Sequence, residues 1–98
     1  MTSEIHVVAV VQGKPGTAEA IESIVSRCVS PSRAEPGCVA YTPHRDLDHA
    51  DRVVFIETWR SREAFADHQR TAHFQTLAHD LAPLLAEPLQ VSVLDALA

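Results

Sequence analysis

The hydrophobic pattern changes period several times along the chain, and each change marks an element. Ile5-His6-Val7-Val8-Ala9-Val10-Val11 is short, rich in β-branched residues and stopped by Gln12-Gly13-Lys14-Pro15-Gly16. That reads as a strand followed by a turn. Its near-continuous apolarity predicts cover on both faces. From about Thr17 the period lengthens. Ala18, Ile21, Val25, Cys28 and Val29 recur at three- and four-residue steps, predicting a helix that Pro31 ends. Residues 32–37 then form a loop, closed by the Glu35-Pro36-Gly37 turn.

Residues 38–44 and 52–59 read as two further strands, joined by the polar connection 45–51. In the second of them Val53, Phe55, Glu57 and Trp59 share one face, and Val54, Ile56 and Thr58 the other. Ser61 is placed to cap a short helix reaching about His68. Another helix begins near Thr71, with Phe74, Leu77, Ala78, Leu81 and Leu85 as its stripe, and Pro83 kinks or ends it. A last strand covers residues 89–94.

The order β-α-β-β-α-β, with its second helical region broken in two, specifies an α+β ferredoxin-like sandwich. It is one domain over residues 1–98, an antiparallel four-stranded sheet with helices on one face. The other face is then open. His6, Val8, Val10 and Gln12 of the first strand would lie there, and the third and last strands carry apolar residues on both faces. So large an apolar face predicts a homodimer packed through the sheet face.

Composition narrows the function classes. The 98 residues are 46% hydrophobic and 21% charged, ordinary for a soluble globular chain and too apolar for disorder. With 8 basic and 13 acidic residues the net charge is −5, which makes phosphate backbones and anionic lipid poor partners, so neither nucleic acid nor membrane is expected. No apolar run approaches the ~20 residues of a membrane helix. No basic leader precedes the first strand, so a cytoplasmic protein with Cys28 and Cys38 reduced is expected.

Metal chemistry finds little support in the spacing. His68 and His73 are five apart, off the i, i+4 step of a zinc-binding helix pair. Asp46, Asp48 and Asp51 alternate, but no glycine turn or distal glutamate completes a calcium loop, so they read as a solvated hairpin connection. No metal and no cofactor is expected. Gly13-Lys14-Pro15-Gly16 matches no phosphate-binding fingerprint. What remains is a cluster: Phe55, Glu57 and Trp59 on one strand face, Tyr41 on the neighbouring strand, His68 closing one helix, His73 and Phe74 opening the next. If that strand face points at the helices, these groups surround one aromatic-walled pocket with a partly desolvated carboxylate. The plainer alternative is that Phe55, Trp59 and Phe74 are core and Glu57 pairs with a histidine structurally.

The chain resembles the antibiotic biosynthesis monooxygenase family of dimeric α+β barrel proteins, which includes small quinol monooxygenases. The matching stretches are Lys14-Pro15-Gly16, Glu35-Pro36-Gly37-Cys38-Val39-Ala40-Tyr41, Phe55-Ile56-Glu57-Thr58-Trp59, Ser61-Arg62-Glu63-Ala64-Phe65 and His68-Gln69-Arg70-Thr71-Ala72-His73-Phe74. The resemblance implies a cofactor-free oxygenase taking a small quinol, phenol or anthrone and O2, with the deprotonated substrate supplying the electron. On that reading Trp59, Phe74, Phe55 and Tyr41 bind the ring. His68, or next His73, takes the proton or orients the hydroxyl, and Glu57 orients one of them or the substrate. Other relatives bind, isomerise or cyclise small molecules without oxygenation. A haem-degrading branch uses a strand-one asparagine where this chain has Ala9, and a histidine that His79 misses by one residue.

Overall fold

The computed structural model describes residues 3–98. Met1 and Thr2, at the start of the segment read for a leader, lie outside them. The elements are β1 (Ile5–Gln12), α1 (Ala18–Arg33), β2 (Cys38–Arg45), β3 (Arg52–Trp59), α2 (Arg62–Gln69), α3 (Ala72–Leu81), a 3-10 turn (Ala82–Leu84) and β4 (Gln90–Leu94). The sheet order is β2-β3-β1-β4, and every neighbouring pair is antiparallel. This is the ferredoxin-like α+β sandwich expected from the element order.

Alternation decides which side of each strand is buried. Ile5, Val7 and Val11 of β1 and Val53, Phe55, Glu57 and Trp59 of β3 are all buried, together with Ile21, Val25 and Cys28 of α1 and Leu77 and Leu81 of α3. The opposite face is less apolar than expected. Register places Gln90 and Ser92 of β4 beside Val10 and Val8, so Leu94 is the one large apolar residue that β4 adds there. The second face of β1 is only half-buried within the chain. No helix among the described residues is long and apolar enough to cross a membrane. Both cysteines are free thiols.

Three local readings are corrected. Pro31 does not end α1, which runs on to Arg33. The missing N–H removes one helical bond, but tertiary contacts hold the last turn: Ser32 is buried with its hydroxyl 3.4 Å from Cys28 Sγ, and Arg33 Nε donates to the Tyr41 carbonyl at 2.9 Å. Leu85 is not on the stripe of α3. That helix stops at Leu81, Pro83 sits in the 3-10 turn, and Leu85 instead bridges to Gly13.

Asp51, the third correction, is more than part of a solvated loop. It adopts φ 61°, a conformation that Asp and Asn tolerate better than most residues. Its Oδ1 accepts the Ala18 N–H at 2.9 Å and its carbonyl accepts the Gly13 N–H at 2.8 Å. It thus caps α1 from the β2–β3 connection, a task Thr17 leaves open because its hydroxyl donates to the Lys14 carbonyl. Ser61 and Thr71 cap α2 and α3 through their own hydroxyls.

Candidate active site

The break between α2 and α3 turns two histidines toward one place. His68 closes α2, His73 opens α3, and Thr71 between them caps the second helix. His68 is 1% exposed. Aromatic rings surround it: the ring centroids of Trp59, Phe74, Tyr41 and Phe65 lie 4.5, 5.2, 5.4 and 6.2 Å away.

The partner of both histidines is Glu35, from the loop between α1 and β2. Its Oε2 lies 2.7 Å from His68 Nδ1 and 2.7 Å from His73 Nε2. A carboxylate oxygen only accepts, so each ring donates its N–H to it. From sequence alone Glu35 reads only as a turn residue, although it opens one of the stretches that carry the family resemblance. The two ring nitrogens and the carboxylate oxygen lie within 4.8 Å of one another, a spacing a divalent cation could also bridge as their shared ligand centre. The two contacts to a single oxygen have hydrogen-bond length.

Glu57 pairs with neither histidine. It sits on β3 between Val7 of β1 and Tyr41 of β2, and its Oε1 accepts the Trp59 Nε1–H at 2.8 Å. Burial pushes its carboxyl up to about 7; the Trp59 hydrogen bond opposes that shift and the Glu35 charge adds to it. Burial also pushes His68 below its ordinary value, against the pull of Glu35. Tyr41 donates its hydroxyl to Cys28 Sγ at 3.6 Å, and burial first, then this bond, raises its phenol.

A cavity of about 40 Å³ lies between the sheet and the α2–α3 pair. Tyr41, Phe55, Glu57, His68 and Phe74 all line it, with Val7, Phe65 and Leu77 completing the inner wall and Leu89 and Val91 the outer one. Five of the seven residues singled out from sequence therefore meet at one void. Trp59 and His73 do not line it. Trp59 is 0% exposed and lies behind the wall, holding Glu57 and packing on His68. His73 faces a surface groove between α1 and α3, beside Arg27 and Asp80. Two proton carriers, Glu57 and His68, line the cavity, each pushed by burial toward its uncharged form, and Gln69 adds an amide to an otherwise mostly aromatic and aliphatic enclosure.

Fold and cavity define a class of small α+β proteins, and comparison with known proteins supplies the family. Residues 4–80 match the family model described as antibiotic biosynthesis monooxygenase, and the chain belongs to that family. Rv0793 of Mycobacterium tuberculosis, named as a presumed monooxygenase, is 32% identical over 94 residues, covering 96% of this chain and 92% of its own. Its solved structure superposes with a TM-score of 0.91, covering 98% of this chain and 97% of that one. PA3566 of Pseudomonas aeruginosa is 35% identical with a TM-score of 0.91, covering 100% and 98%.

Proposed function

We propose that this chain is a cofactor-independent monooxygenase that oxidises a small electron-rich aromatic hydroxy compound, of quinol, phenol or anthrone type, with O2. The observation that carries this reading is the placing of His68 and Glu57 in one aromatic-walled cavity. Neutral His68 takes the hydroxyl proton. The resulting phenolate gives one electron to O2, the radical pair joins in a C–O bond, and loss of water leaves a quinone. A phenol plus O2 yields a quinone plus water, so the substrate supplies all four electrons and no external reductant is needed. Glu57, near half-protonation at neutral pH, orients the substrate oxygen. Apolar walls keep water from the radical pair. A void of about 40 Å³ is too small for a ring, since cavities that take benzene are on the order of 150 Å³. Substrate entry then needs the Leu89–Val91 wall to move; Val91 is 46% exposed on the edge strand.

Oxygen consumption by metal-stripped protein over a panel of quinols and anthrones tests the reading. Uptake above the uncatalysed rate, one O2 per substrate, is expected; none across the panel would refute it. A second reading rests on the same acid–base pair, which suffices to isomerise a carbonyl compound without oxygen. Turnover persisting under strict anaerobiosis would select it.

The second proposal concerns assembly. Val8, Val10 and Val54 are half-buried on the open face, where Ile56 is 51% and Leu94 45% exposed. We infer a homodimer packed through this face. Sedimentation equilibrium at micromolar concentration should return twice the chain mass, and Ile56→Lys should shift it toward the monomer. A wild-type monomer under those conditions would rule the dimer out.

A further inference from the structure

The hydrogen bonds behind His68 carry one step more, resting on the reading of His68 as the proton acceptor. We propose that Glu35 is the positioning residue of the site: by accepting the Nδ1–H of His68 it holds the ring in the one tautomer whose Nε2 lone pair is free to take a proton from a molecule in the cavity.

A neutral imidazole donates from one nitrogen and accepts at the other. Glu35 Oε2, 2.7 Å from Nδ1, accepts, so the proton sits on Nδ1 and the lone pair on Nε2. Among the described residues Nε2 has no hydrogen-bond partner, while the ring lines the cavity. Trp59 and Phe74 pack against the ring, with centroids 4.5 and 5.2 Å away, and His68 is 1% exposed. Once Nε2 is protonated, the imidazolium faces a carboxylate at hydrogen-bond distance, which stabilises it.

The chain holds Glu35 for this task from several sides. Its N–H donates to the Ser32 carbonyl and its carbonyl accepts the Cys38 N–H, both at 3.1 Å. Arg60, just before α2, donates its N–H to the Gly37 carbonyl at 2.9 Å and its Nε–H to the Pro36 carbonyl at 3.0 Å. At Gly37 an added Cβ would stand 2.4 Å from Ala64 Cβ. Ala64 precedes His68 by one helical turn, so the glycine lets the loop approach α2 closely enough for Glu35 to reach the ring. His73 donates to the same oxygen from α3 and fixes the carboxylate from the far side. The titratable groups facing His68 are thus Glu35 from the loop, His73 from α3, Glu57 from β3 and Tyr41 from β2.

Imidazole nitrogen NMR of the substrate-free, metal-stripped protein reads the tautomer directly and needs no known substrate. The expected result is the Nδ1–H form for His68 in the wild type and its loss in Glu35→Leu, which removes the acceptor altogether; Gln would keep a carbonyl oxygen able to accept the same N–H. With an oxidisable quinol, Glu35→Leu should lower kcat roughly 10–10⁴-fold, the span seen when the orienting partner of a histidine is removed, with little change in KM. A wild-type His68 in the Nε2–H form overturns the proposal, and so does a Glu35→Leu spectrum unchanged at His68. A divalent ion retained at one per chain in the purified protein and lost in Glu35→Leu also overturns it, since Nδ1 would then be a ligand. Should Glu35→Leu fail to fold, the wild-type spectrum alone decides. If no quinol is oxidised by any form, the tautomer result still stands and the oxygenase reading is what fails.

Discussion

Replacing His68 with alanine is expected to lower oxygen-dependent turnover by about 10²–10⁴-fold, the range for losing a positioned acid–base group. In the proposed reaction the ring is the cavity's neutral nitrogen base. Burial depresses its pKa from the ordinary 6.5, so at pH 7 it is unprotonated and ready to accept. Activity should accordingly appear as pH rises through that lowered value. The truncation also empties a fully buried site and leaves Glu35 one donor short. A stability cost of about 2–4 kcal/mol is therefore expected, and His68→Gln serves as the volume-conserving companion. Oxygen-electrode rates on both variants, with circular dichroism to confirm folding, check the prediction. Rates within a few-fold of wild type in both would move proton acceptance to Glu57.

Stability should depend on pH through Glu57, by on the order of 3 kcal/mol between pH 4.5 and 7. Its folded carboxyl is pushed up to about 7 from an ordinary 4.5. Between those values the folded chain holds a proton that the unfolded chain has released. The contribution is therefore complete below pH 4.5 and is lost as pH rises through 7. His68 works the other way: its folded value is lowered, so its contribution is present above pH 6.5 and lost as pH falls. Bulk stability mixes the two, and a difference measurement separates them. Urea unfolding of wild type and Glu57→Gln at equal protein concentration, at pH 5 and pH 8, should show the variant gaining on wild type by roughly that amount. A pH-independent difference would mean that the Glu57 carboxyl ionises freely in the folded state.

Local physics made the strands, the two short helices and the shared face of Phe55 and Glu57 readable from sequence. Period-two alternation assigns β3 its two faces without reference to any neighbour, and the Ser61 and Thr71 caps act within three residues. The unreadable features are those decided at a distance. Pro31 stays helical because Arg33 is tied to β2, and Asp51 caps a helix 33 positions away. Glu35 meets His68 and His73 across 33 and 38 positions. The Pro36-Gly37 turn is a local signal, but it does not say where the preceding carboxylate points. Alternation likewise puts Trp59 and Glu57 on one face without saying which lines the void and which stands behind it. The site's catalytic candidates were therefore visible, and the groups that hold them were mostly not.

In the proposed oxidation the narrowness of the cavity would sort the two reactants by size. A diatomic gas is no larger than the few water molecules that about 40 Å³ can hold, and it can dissolve among aromatic side chains while the protein stays shut. An aromatic ring must wait for the outer wall to open. Such a protein would meet its organic substrate with oxygen already inside. The encounter rate would then be set by how often Leu89 and Val91 swing clear, and it would level off at high substrate concentration however fast the electron transfer that follows.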